Sequence, residues 1–82
     1  MLQKAKIIKV TTHEGVPKYT QIWMDNVEYH KEAIKIGKSA IMLCSDERSL
    51  ITTSSLIDVE EDENNLKLIT KNSIYYIKKF RE

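Results

Sequence analysis

The chain is 82 residues long, 41% hydrophobic and 30% charged, with a formal net charge of +1. That length supports one hydrophobic core and not two, and the composition is that of a folded domain, neither disordered nor embedded in a membrane. A single cysteine, Cys44, excludes an internal disulfide, and no continuous apolar run resembles a signal peptide or a membrane span, so a reducing, cytoplasmic setting is expected.

Two glycines and one proline punctuate a chain rich in β-branched and aromatic residues, which predicts strands throughout. The first runs from Lys4 to Thr12, with Lys4, Lys6 and Lys9 near one side of Ile7, Ile8 and Val10, and ends in a turn at Gly15 and Pro17. A second, Lys18 to Met24, alternates Tyr19, Gln21 and Trp23 against Thr20, Ile22 and Met24. Asp25-Asn26 then turns it into Val27-Glu28-Tyr29. His30 to Ile36 allows a helical turn or a strand interrupted at Gly37; a strand or loop is expected.

Ser39 to Cys44, a polar turn at 45–48, and Ser49 to Thr53 read as an antiparallel hairpin. Leu56 to Glu60 leads to the acidic turn Glu61-Asp62-Glu63-Asn64-Asn65, Leu66 to Thr70 answers it, and Ser73 to Phe80 is the last strand. Six to seven short strands at this spacing predict an all-β domain, a small antiparallel barrel or sandwich of SH3-like or OB-like kind. A barrel would also hide the strand edges that make such a chain prone to aggregate. Leu50 to Ile57 and Leu68 to Tyr75 share Leu, Ile, Thr and Ser in register, which reads as two similar strand ends rather than a repeat.

No reaction class can be assembled from these residues. Cys44 ends the apolar run Ala40-Ile41-Met42-Leu43, where a thiol behaves as a small hydrophobe, and the spacing brings neither His13 nor His30 beside it. His13 with Glu14, and His30 with Glu32, lack the paired ligands that a structural zinc requires, so neither a metal nor a cofactor is expected. The Ser/Thr-rich corners at 52–55 and 70–73 offer hydroxyl and amide groups to a small ligand only if the fold joins them; otherwise they satisfy their own turns.

Two binding readings remain. The first is a non-enzymatic module that docks a protein, a second copy included. It would use a strand face around Tyr19 and Trp23, residue types favoured at interfaces, and the acidic stretch of Asp58, Glu60, Glu61 and Asp62. The second is nucleic-acid binding. Lys31, Lys35 and Lys38 cluster in the middle of the chain, and Lys78, Lys79 and Arg81 follow Tyr75 near its end, an interleaving suited to neutralising phosphate and stacking bases.

Overall fold

The computed structural model describes residues 2–18, 26–44 and 50–80. Its strands are β1 (Leu2–Thr11), β2 (Asn26–His30), β3 (Ser39–Cys44), β4 (Leu50–Glu61), β5 (Asn65–Thr70) and β6 (Ile74–Lys79). They form a closed antiparallel barrel in chain order, and β1 pairs with β6 to complete the circle. Of the two predicted arrangements this is the barrel. Every strand lies beside its sequence neighbours, and closure leaves neither β1 nor β6 with an unpaired edge.

Alternation sets the two surfaces. Ala5 and Ile7 on β1, Val27 and Tyr29 on β2, Ala40 and Met42 on β3, Leu66 and Leu68 on β5, and Ile77 on β6 all point inward and are buried. Strict alternation breaks at three places, each an extra residue in one strand. The β1–β6 register shifts between Ile7 and Lys9, the β3–β4 register between Ser39 and Ile41, and the β4–β5 register between Leu56 and Asp58. Bulges of this kind bend a strand and add to its twist, which six short strands need in order to close. Ile8 and Ile57 sit at two of these bulges and are exposed for that reason.

The expected strands at Ser49–Thr53 and Leu56–Glu60 are a single strand of 12 residues. The Ser/Thr corner assigned between them lies within β4, because bulging lets the ladder continue. Gly37 N–H donates to Leu56 O at 2.8 Å, Leu56 N–H donates to Lys38 O at 3.0 Å, and Thr53 Oγ1 accepts from Ala40 N at 2.9 Å. The uncertain segment after His30 is one 3-10 turn, Lys31–Ala33, followed by a loop that Gly37 turns at a φ of 91°. It is not a strand.

The turn after β1 falls where Gly15 and Pro17 placed it. Gly15 takes a φ of 89°, Thr12 N–H donates to Val16 O at 2.8 Å, and Lys18 N–H donates back to Val10 O at 2.9 Å. The chain therefore starts back along β1. The rest of the expected second strand, with Tyr19 and Trp23, lies outside the described residues, as do the expected turn at 45–48, Ser49, Arg81 and the Cys44 side chain. No helix among the described residues is long and apolar enough to cross a membrane.

Candidate docking faces

The outer face of β3 and β4 carries aliphatic side chains where a solvated hairpin ordinarily carries polar ones. Leu43 and Leu50 are register partners, and Ile41 stands two residues from Leu43 on the same face, opposite Thr52. Ile41 is 53% exposed, Leu43 41% and Leu50 64%. Their inward neighbours Met42 and Ile51 pack into the core, so alternation fixes the outward direction of the three.

Glu60, Glu61 and Asp62 of the acidic stretch line one groove, but each is engaged differently. Glu61 lies at the barrel end, where its Oε2 accepts from Lys79 Nζ at 2.9 Å. Glu60 points outward toward Lys67 at 3.7 Å. Asp62 holds the β4–β5 turn: its Oδ1 accepts from Asn64 N at 2.9 Å and Asn65 N at 2.8 Å. Those two amides hold the Asp62 carboxyl below the usual carboxylate range. Asp58 is exposed, with Oδ1 accepting from Val59 N.

The expected basic set is divided. Tyr75 turns inward, half-buried against the core, and burial pushes its phenol up. Lys79 is engaged with Glu61. Lys31, Lys35 and Lys38 are exposed along the β2–β3 connection, whereas Lys78 stands on the outer face of β6.

Sequence reasoning missed a second group beside Lys78. Lys78 is the register partner of Lys6 on β1 and of Asn65 on β5. Beside that row, Tyr76 lies between Lys9 on β1 and Lys67 on β5, whose Nζ atoms are 5.4 and 5.5 Å from the ring centre. The two consecutive tyrosines and the lysines of the first strand were visible. What hid the group was the β1 bulge at Ile8: without it Lys9 would face the core, and with it Lys9 meets Tyr76.

The fold does join the Ser/Thr corners, and they occupy one another. Asn72 Nδ2 donates to Ser54 Oγ at 2.7 Å, and Lys71 N donates to Ser55 O at 3.0 Å. Thr70 Oγ1, fully buried, donates to Ser73 O and accepts from Ser73 N. Lys18 Nζ donates to Ser73 Oγ at 2.6 Å, and His13 Nε2 lies 2.8 Å from Thr70 O, tying the first turn to this corner.

At the other end of the barrel a cavity of about 90 Å³ is lined by Tyr29, Lys31, Ile34, Val59, Glu61 and Leu66. The Tyr29 side chain is buried, and its hydroxyl has no hydrogen-bond partner among the described residues. Burial, and then the charge of Glu61, push this phenol up to about 12. Among the described residues no group of three or more His, Cys, Asp or Glu side chains converges as a metal cage would.

Comparison with protein-family models, with curated proteins and with solved structures found no match to this chain.

Proposed function

We propose that this chain is a non-enzymatic binding module, working in a reducing, cytoplasmic setting, that docks a protein through the outer face of β3 and β4. The observation that carries the reading is the adjacent exposure of Ile41, Leu43 and Leu50. Burying such side chains from water gives roughly 25 cal/mol per Å² of apolar area, whereas leaving them in water forgoes that term. Contiguous aliphatic surface on a soluble domain is the signature of an interface. It suits a protein surface better than a polyanion, which needs cations, or a small ligand, which needs a concavity.

The non-enzymatic half rests on where the polar groups are spent. The hydroxyls and amides of the Thr70–Ser73 turn hold the corner together, and Glu61 and Lys79 hold each other. A second copy of the chain belongs to the same partner class, since an apolar sheet face can be self-complementary across a two-fold axis. The test places charge on the face. Leu43→Glu with Leu50→Glu leaves the barrel folded and abolishes capture of the partner; a partner retained by the double variant overturns the reading.

A further inference from the structure

We propose that the outer face of β1, β6 and β5 binds single-stranded nucleic acid, with phosphate over Lys6 and Lys78 and a base at Tyr76 between Lys9 and Lys67. This surface is separate from the β3–β4 face and does not depend on it.

The first observation is a like-charge pair. Lys6 and Lys78 stand directly opposite each other across β1 and β6, an arrangement that destabilises a ladder. Ion pairs among the described residues join Lys67 to Glu60 and Lys79 to Glu61, and Lys6, Lys9 and Lys78 make none among them. Among the described residues no ion pair offsets the repulsion, and an anion set between the two ammonium groups would remove it. Asn65, the other register partner of Lys78, lies in the same row; one hydrogen of its Nδ2 is directed to Asp62 Oδ1 at 3.4 Å, which leaves the second to donate.

The second observation is the ring. Tyr76 is half-buried on the outer face, one same-face step of about 7 Å along β6 from Lys78. Beside it lies a groove of about 360 Å³ whose lining includes Ile8, Lys67, Tyr76 and Asn65 together with the acids Glu60, Glu61 and Asp62. Those acids repel phosphate and accept hydrogen bonds from exocyclic amino groups. Phosphate is directed to the Lys6–Lys78 side and the base to the groove. Aromatic stacking with flanking cations is how single strands are held without strict sequence reading.

The test is fluorescence anisotropy of a labelled oligodeoxycytidylate of about twelve nucleotides, titrated with the full chain at two salt concentrations. With about three phosphates neutralised, affinity falls about 20-fold between 50 and 200 mM salt. Tyr76→Leu weakens binding about tenfold and Tyr76→Phe does not, because the phenyl face still stacks. Lys6→Gln with Lys78→Gln weakens binding and flattens the salt dependence, while circular dichroism confirms the fold. Any of three results overturns the proposal: no binding at low salt, equal affinity for inorganic polyphosphate or for anionic lipid vesicles, or a Tyr76→Leu variant that binds like the wild type.

Discussion

Leu43 on β3 and Leu50 on β4 face each other across the ladder with both side chains exposed, so this aliphatic cross-strand pair contributes to surface and not to core. Aliphatic cross-strand pairs stabilise a sheet only by tenths of a kcal/mol. Replacing both residues with glutamate removes that pair and sets two like charges opposite each other, and so lowers folding stability by about 1 kcal/mol in urea denaturation, against the 2–5 kcal/mol of a core truncation. Collapse of the fold on this double substitution would show that the face is structural.

Tyr29 offers a prediction with a defined sign. Its hydroxyl is buried with no hydrogen-bond partner among the described residues, so Tyr29→Phe is neutral or stabilising by up to about 1 kcal/mol at pH 7. The folded phenol ionises near 12, above its ordinary value of 10.0, so the fold favours the neutral form. That contribution is complete below pH 10 and is lost as pH rises toward 12. At pH 11 the wild type should have lost about 1.4 kcal/mol that Tyr29→Phe retains. The two proteins differ only in the phenol oxygen, so denaturation of the pair at pH 7 and pH 11 isolates its contribution. Equal losses in the two proteins would contradict the assignment.

Asp62 works in the opposite direction. Its carboxylate accepts the backbone amides of Asn64 and Asn65, and its folded pKa lies below the unfolded one. The stabilisation is present above the unfolded value, near 4, and disappears as pH falls through the lower folded value. Asp62→Ala removes it, so acid titration followed by circular dichroism should show the variant unfolding at higher pH than the wild type. Coincident curves would mean that the turn does not need the carboxylate.

Lys6 and Lys78 make stability and binding separable. Lys6→Glu replaces repulsion across β1 and β6 with attraction, and should raise stability by about 0.5 kcal/mol while abolishing oligonucleotide binding. Thermal denaturation reads the first effect and anisotropy the second. A variant that is both less stable and unimpaired in binding would contradict both halves.

The barrel was legible because period two runs through most of the chain and its turns carry their own signals, Gly15 with Pro17 after β1 and the acidic cluster after β4. The sites were less so, because bulges reset which residues share a face. Ile8 carries Lys9 to the outside, and the bulging of β4 turned what read as a corner at Thr52–Ser55 into strand interior. Glu60, Glu61 and Asp62 read as one acidic patch because they are consecutive, and they do line one groove, but alternation gives each a different partner: Lys67 for Glu60, Lys79 for Glu61 and the turn amides for Asp62. Tyr75 and Tyr76 were separable by parity alone, and only the buried Ile77 fixes which of them faces the core. The aliphatic face of Ile41, Leu43 and Leu50 read as core sequence, since hydrophobicity does not record which side of a two-sided hairpin is covered.

Docking through β3 and β4 is open to quantitative affinity capture with three baits: the wild type, the Leu43→Glu and Leu50→Glu double variant, and Lys6→Gln with Lys78→Gln. A differently tagged copy of the chain is added to the lysate, and mass spectrometry reads the result. Docking through β3 and β4 predicts a protein, the second copy or another, that is enriched on the wild type and on the lysine variant in nuclease-treated lysate and lost from the leucine variant. Identical captured sets on the wild type and the leucine variant would contradict it.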